Sequence, residues 1–265
     1  MSRTASLESN GEFVSILMLT YNAPEYVEIS VRSVRERTRG VRYELVVLDN
    51  DSQPETKALV QRLHDEGLID RLRLLDRNSL FAEGNNLASE MADPAATHYL
   101  LLNSDIEARD PDWLRHLLDE HQRGITAYGV AADPDRVDGY CLLIDADLYR
   151  RFKLDEGHQW WWAVTKMQAM VLSAGFPVRG FAEHEQYLHH FGGKSGSGFK
   201  NAKGMNVSRD EVMGWFADRR PVVLDRNADG SLPGARHVQV PEPPRTFFSR
   251  AKGRLRRLLD AVTTH

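Results

Sequence analysis

Three short polar clusters carry groups that can do chemistry: Thr20-Tyr21-Asn22, Asp49-Asn50-Asp51-Ser52 and Asn103-Ser104-Asp105. Each combines hydroxyl, amide or carboxylate side chains and follows directly on a short apolar run. One such cluster alone reads as a turn and helix cap. Three of them converge on one site if the preceding runs are strands of a parallel sheet, because ligands bind beyond the carboxyl ends of such strands. Further along lie the paired carboxylates Asp155-Glu156, the run Trp160-Trp161-Trp162, and the pair His189-His190 ahead of a glycine-rich stretch, GGKSGSG, over 192–198. Aromatic faces stack on sugar C–H surfaces, so Trp160 and Trp161 are candidates for holding a saccharide. Three adjacent residues on a helix cannot share one face, so at least one tryptophan belongs to the core.

The elements needed to position these groups are legible in the first half. Runs at 13–19, 43–48, 71–75 and 98–102 are short and apolar, the pattern of buried strands. Between them lie helices with recognisable starts. Asn22 is placed to cap a helix with Pro24 and Glu25 in its first turn and Val27, Val31 and Val34 on one face. Ser52, Pro54 and Glu55 repeat the signal before Leu59 and Leu63, and Asp110-Pro111-Asp112 opens a third helix before Trp113, Leu114, Leu117 and Leu118. This alternation predicts an α/β fold with a mainly parallel sheet flanked by helices. The second half is less regular, with a strand at 139–145 and a mostly buried helix at 160–174 ending at Gly175. The organisation expected is a polar, disordered N-terminus over 1–12, one domain over 13–220, and an extended linker with a basic amphipathic helix over 221–265.

Composition narrows the class. The chain has 265 residues, is 42% hydrophobic and carries a formal net charge of −4, which argues against a nucleic-acid partner. A single cysteine, Cys141, rules out an intramolecular disulfide framework and fits a reducing, cytoplasmic compartment. Residues 245–260 contain six basic residues and one acid, with Phe247, Phe248, Ala251, Leu255, Leu258 and Leu259 on one side. That pattern suits a helix lying on an anionic membrane surface, and equally one packed on the protein with a solvated basic face.

The stretches SILMLTYNAPEY, ELVVLDNDSQPET, LFAEGNNLA and YLLLNSDIEARDPDWL together resemble the successive motifs of family 2 glycosyltransferases, most closely the bacterial rhamnosyltransferase-like members. The resemblance implies the GT-A fold, with an acceptor-side region in its C-terminal part. It also implies transfer of a hexose from a UDP- or dTDP-sugar to a saccharide or lipid-linked acceptor, as in cell-envelope polysaccharide synthesis. By the same resemblance Thr20, Tyr21 and Asn22 cradle the nucleoside, Asp49 accepts a hydrogen bond from the base, and Asn50 and Ser52 complete that turn. Asn85 and Asn86 lie in a segment that closes over the nucleotide. Asn103, Ser104 and Asp105 match the family's Asp-x-Asp motif, making Asp105 the anion that holds Mg²⁺ or Mn²⁺ against the donor diphosphate. His190, at the head of a matching H-x-G-G-x-S segment, completes the metal site, with His189 as the alternative. A hard cation there would stabilise the leaving nucleoside diphosphate as a Lewis acid.

Two departures from the family stand out. The stretch between Gly124 and Gly139 is short, implying a pared-down acceptor region. The family's catalytic carboxylate lies in a pattern whose start matches Leu154-Asp155-Glu156 and whose end matches Gly175. Counting from either side puts Ala163 and Val164 where Glu-Asp is expected, and Lys166 at the second Asp. The base therefore has to be sought elsewhere: Glu156 first, then Asp155 and His158, with Glu183 and Glu185 beyond. Two other readings stand beside the transferase: a nucleotidyltransferase, and a catalytically impaired sugar-nucleotide or glycan-binding module of the same fold. Gly193-Lys194-Ser195 is not a phosphate-binding P-loop, since Leu188 stands where its first glycine belongs. His184 and His189 are five residues apart, one too many for a zinc-protease helix.

Overall fold

The run FVSILMLT forms β1, the strand around which the structure is laid down, and it is buried on both faces. A computed structural model describes residues 11–132, 135–194, 202, 204–231 and 233. The order is β1 (Phe13–Thr20), α1 (Pro24–Arg37), β2 (Arg42–Asp49), α2 (Pro54–Asp65), β3 (Arg71–Leu74), α3 (Leu80–Met91) and β4 (His98–Asn103). Then come β5 (Ile106–Ala108), α4 (Trp113–Asp119), β6 (Ile125–Tyr128), β7 (Val130–Ala131), β8 (Arg136–Val137) and β9 (Cys141–Asp145). The last are α5 (Ala146–Phe152), α6 (Trp161–Ser173), β10 (Val178–Phe181), β11 (Leu188–His190), α7 (Arg209–Phe216) and β12 (Val222–Val223).

The main sheet has the order β12-β10-β6-β9-β4-β1-β2-β3. It is parallel throughout except at β9, which runs antiparallel to both β4 and β6. Strand order reverses between β2 and β4 about β1, so the switch point lies where β1 and β4 end. Alternation along β1 divides the core in two. Val14, Ile16 and Met18 face Val27 and Val31 of α1, Leu59 of α2 and Trp113 of α4, whereas Phe13 and Leu17 face Ala82 of α3 and Met167 of α6. Each such fully buried aliphatic side chain contributes roughly 1.5–3 kcal/mol, and coverage on both faces explains why the strand reads as one apolar run.

The expected strands and the three first-half helices are present, except that β3, expected to be buried, is a half-exposed edge strand with Leu74 in solvent, and the structure adds several elements. LFAEGNNLA is largely helical, within α3; β6 and β10 widen the sheet; and the stretch expected to be a linker from 221 opens with β12, hydrogen-bonded to β10. The caps differ from expectation. The N-cap of α1 is Ala23 in a left-handed conformation, and that of α2 is Gln53, so neither Asn22 nor Ser52 caps its own helix. Cys141 is buried in β9, and burial pushes its thiol far above the usual range, which removes it as a nucleophile. No helix among the described residues is long and apolar enough to cross a membrane. The basic stretch 245–262, Ser195 and residues 1–10 lie outside the described residues.

One buried acid ties the sheet together away from the site. Glu44 of β2 accepts hydrogen bonds from the Ser15 hydroxyl at 2.5 Å, the Asp93 N–H at 2.6 Å and Arg71 Nε at 2.6 Å. Removing the cation leaves a carboxylate only 9% exposed without its counter-charge, while Arg71 itself is 41% exposed, which moderates the loss. Arg71→Ala should therefore cost about 1–2 kcal/mol in urea unfolding, and adding Glu44→Leu should recover part of it. An Arg71→Ala protein as stable as wild type would show the pair to be inert.

Candidate functional site

The turns after β1 and β2 are stitched to one another. Asn50 N–H donates to Thr20 O at 2.8 Å, Asn22 N–H to the Ser52 hydroxyl at 2.8 Å, and Gln53 N–H to Asn22 Oδ1 at 2.8 Å. Side chains expected to cap helices thus join two strand ends. Asp49 sits beneath this junction. Its carboxylate accepts the Ser52 N–H at 2.8 Å and is wholly buried. Burial pushes its pKa above the ordinary value, partly opposed by the bonds from Ser52.

Asn50 holds the entry to α3. Its Oδ1 accepts both the N–H and the hydroxyl of Ser79 at 2.7 Å, and its Nδ2 donates to Asn78 Oδ1 at 3.0 Å and Leu80 O at 3.2 Å. Leu80 turns the chain with φ +62°. The first N–H groups of α3 are then satisfied from a distant segment, since Gln159 Oε1 accepts those of Phe81 and Ala82, each at 3.1 Å. Between α3 and the ends of β1 and β4 a cleft opens. Tyr21, Asn50, Asn78 and Asn85 line it on one side, Asn103, Ser104 and Asp105 on the other, with Gly139 and Trp160 also on its wall.

At the β4 end, β5 pairs antiparallel with β11, setting Ile106 opposite His190. Asp105 Oδ1 lies 3.2 Å from His190 Nε2, and the Asp105 carbonyl accepts the Phe191 N–H at 3.0 Å. The Lys194 N–H, at 3.3 Å, points to Asp105 Oδ2, and Asn103 Nδ2 is 3.4 Å from His190 Nε2. The Tyr140 ring stacks on His190, centroids 4.2 Å apart. Burial pushes the Asp105 carboxyl up, but His190 and the Lys194 N–H outweigh it and hold the carboxyl below its ordinary value. Asp105 lines the cleft and the His190 imidazole meets its carboxylate at 3.2 Å, a donor set that fits a divalent cation whose other ligands are phosphate oxygens and water.

The remaining predicted residues fall in different places. Asn85 lines the cleft, its amide donating to Phe81 O at 2.8 Å. Asn86 lies beneath, hydrogen-bonded to both backbone groups of Leu154, to the Tyr149 hydroxyl and to Glu156. Thr20 is fully buried and Ser52 nearly so. Asp155 is ion-paired with Lys166 and accepts the Gly157 N–H; burial pushes its carboxyl up, yet Lys166 and Gly157 leave it below its ordinary value. Neither Asp155 nor Glu156 lines the cleft. The tryptophan run splits three ways: Trp160 on the cleft wall, Trp161 45% exposed, and Trp162 buried with its N–H on Met205 O at 3.0 Å. Ala163 and Val164 are core residues.

A second cleft is lined by Gly129, Asp138, Tyr140, Glu183, His184 and Glu185, and the chain connects it to the first through Gly139, which lies on the first cleft's wall. His184 meets the Tyr140 hydroxyl, and Glu185 is paired with His189 at 2.8 Å. Sequence reasoning missed Gln159, Tyr140 and this cleft, because each acts through partners remote in the chain.

A mainly parallel sheet with a cleft at its switch point, two stitched strand-end turns and an acid–histidine pair is an α/β architecture with its cleft where such sheets bind ligands. Residues 15–159 match Glycosyl transferase family 2, more than half the chain, and the protein belongs to that family. Over 111 residues, 42% of this chain, it is 31% identical to Protein CgeD of Bacillus subtilis (strain 168) and 32% identical to the O-antigen biosynthesis protein RfbC of Myxococcus xanthus. The matched part covers 23% and 8% of those two proteins. Among solved structures, GalNAc-T7 with UDP, GalNAc and Mn²⁺ superposes with a TM-score of 0.54 at 14% identity, over 64% of this chain and 42% of that one. Mannosyltransferase PcManGT from Pyrobaculum calidifontis, in complex with GDP-Man and Mn²⁺, gives 0.50 at 18% identity, over 60% and 52%. The architecture is the GT-A fold expected from the motifs.

Because α3 is capped by a side chain from another element, Gln159→Ala should cost about 1 kcal/mol, the usual worth of an N-cap. Amide exchange at Phe81 and Ala82 should accelerate while that of β1 and β4 is unchanged. Unaltered exchange at those two positions would show that Gln159 is not the cap.

Proposed function

We propose that the protein transfers a sugar from a nucleoside diphosphate donor, bound in the first cleft, to a hydroxyl of a saccharide or lipid-linked acceptor entering the second. The observation that carries this reading is Asp105 on the wall of the switch-point cleft, with His190 3.2 Å from its carboxylate. Membership of the glycosyltransferase family and the nucleotide ligands named for the two solved relatives support it.

In this reading the base lies against Tyr21 and Asn50, which line the cleft, and Asp49 holds the turn beneath them. The donor base stays a matter for experiment, because uridine and thymidine diphosphates suit the motif resemblance and one relative is named with GDP-Man. Asp105 and His190 would hold Mg²⁺ or Mn²⁺, which supplies positive charge to the departing diphosphate. The Tyr140 ring stacked on His190 steadies the imidazole, and the Lys194 N–H orients the carboxylate. Trp160 forms part of the wall near the sugar. An inverting reaction further requires a group that accepts the acceptor's proton. Asp155 is committed to Lys166 and Glu156 to Asn86, so we place this role on the second cleft, with Glu183 first and Glu185 second. The basic stretch 245–262 would provide contact with an anionic membrane bearing a lipid-linked acceptor.

A second reading rests on Ala163 and Val164, which put apolar core where the family pattern carries carboxylates. It makes the protein a sugar-nucleotide-binding module without turnover. Slow donor hydrolysis in Mn²⁺ would separate the two, since only the enzyme cleaves the donor.

Two outcomes follow for the leading reading. In calorimetry with UDP, dTDP and GDP, Mn²⁺ should tighten binding of the preferred nucleotide, and Asp105→Ala and His190→Ala should each remove about 10-fold or more of that gain. A full Mn²⁺ effect in both variants would overturn the metal assignment. Once a donor–acceptor pair is in hand, Glu183→Gln should lower kcat by about 10²-fold or more with nucleotide affinity kept, while Asp155→Asn and Glu156→Gln stay closer to wild type. Wild-type kcat in Glu183→Gln would move the search to Glu185.

A further inference from the structure

A second cluster of metal-ligating side chains lies at the opposite end of the sheet. His98 begins β4, Asp145 ends β9, and the two are direct cross-strand partners. His121 precedes β6, the strand on the other side of β9. One donor atom from each of the three lies within 4.8 Å of the others, and His121 Nε2 is already 3.2 Å from Asp145 Oδ2. The first cleft is a strand length away: His98 and Asn103 are the two ends of β4, roughly 17 Å apart at the usual rise. This cluster therefore has no part in the donor site.

The surroundings are those of an oriented ligand set. The Thr97 hydroxyl accepts the Phe13 N–H at 2.9 Å and donates to Phe13 O at 3.0 Å, and it lies 2.9 Å from His98 Nδ1. In the tautomer that carries its proton on Nδ1, His98 donates to this hydroxyl and keeps a lone pair on Nε2 for a metal. His121 has the same arrangement, with Nδ1 3.0 Å from the Thr126 hydroxyl and Nε2 turned to Asp145. The Gly124 N–H, at 2.7 Å, fixes Asp145 Oδ2. The two imidazoles meet edge to face, centroids 5.0 Å apart. Two histidines held by hydroxyls through their far nitrogens, with a carboxylate fixed by a backbone N–H, follow the pattern by which outer partners orient ligands for a metal.

We propose that His98, His121 and Asp145 form a second metal site, selective for a borderline divalent cation of the zinc class, which ties β4, β9 and the connection into β6 together. Two imidazole nitrogens and one carboxylate oxygen match a three-ligand zinc site whose fourth position is water. Imidazole donors disfavour Mg²⁺ and Ca²⁺. A tetrahedral set at the usual bond lengths of about 2.0–2.1 Å places ligand atoms about 3.4 Å apart, close to the His121–Asp145 separation.

The test uses the full chain carrying Asp105→Ala and His190→Ala, so that the donor site does not compete. Calorimetry with Zn²⁺ should show one equivalent bound, and the thermal midpoint should rise with Zn²⁺ and not with Mg²⁺. His98→Gln and His121→Gln, added singly to that background, should each weaken Zn²⁺ binding by about 10-fold or more. Co²⁺ added to this background with His98 and His121 intact should give the visible absorption of a four-coordinate nitrogen–oxygen site, a readout that does not depend on the folding of the His98 and His121 variants. Absence of Zn²⁺ binding, or binding and Co²⁺ absorption indifferent to both histidine substitutions, would overturn the proposal and leave His121–Asp145 as a hydrogen bond between connections.

Discussion

The arrangement depends on the return of β11 to pair with β5. Asp105 closes a buried strand end, where a carboxylate without a partner is costly. The antiparallel pairing of β11 with β5 sets His190 beside that carboxylate and aligns the Phe191 and Lys194 N–H groups on Asp105. Tyr140, at the mouth of β9, stacks on the far face of His190. Segments at the ends of β4 and β11 and before β9 therefore gather around the Asp105–His190 contact, with Asp105 lining the first cleft and Tyr140 the second.

The other wall hangs from two side-chain amides. Asn50 uses its oxygen and its nitrogen to shape the turn at 78–80, and Gln159 satisfies the first N–H groups of α3. Helix α3 stands over the switch point because the end of β2 and the entry to α6 both hold its N-terminus. Trp160, the residue after Gln159, has φ +47° and ψ −127°, a conformation that costs of order 1–3 kcal/mol for a residue with a side chain. That strain sits on the cleft wall, where a bound ligand would reward a fixed indole.

The second half of the domain carries an exchange of charge. Lys166 occupies the position of an expected acid and pairs with Asp155, and this locks the entry to α6 against the loop before it. Val164 fills the space beside Gly139, where an added Cβ would come within 2.6 Å of its methyl group. An apolar contact thus borders the first cleft where a carboxylate was expected, and the ionisable groups near the site gather instead in the second cleft around His184.

What the sequence by itself determined is the part governed by local periodicity and by short-range order. Short apolar runs bounded by turn signals read as strands covered on both faces, as β1 and β2 are, and polar clusters directly after such strands lie at strand ends. The order of those clusters was sufficient to identify the family, and the resemblance it carries put His190, with His189 as the alternative, beside Asp105. Helix α3 was hidden because Gly84, Asn85 and Asn86 are poor helix formers in its interior, tolerated there by packing and distant caps. Only the tertiary structure decided that Asn50 and Asn85 line the cleft while Asp49 and Asn86 do not, although all four are buried, since neighbouring residues of one motif point to different sides. It alone joined Gln159 to α3, Tyr140 to His190 and His98 to Asp145 and His121. Those contacts link residues far apart in the chain, and the register that makes them is set by the whole sheet rather than by any segment within it.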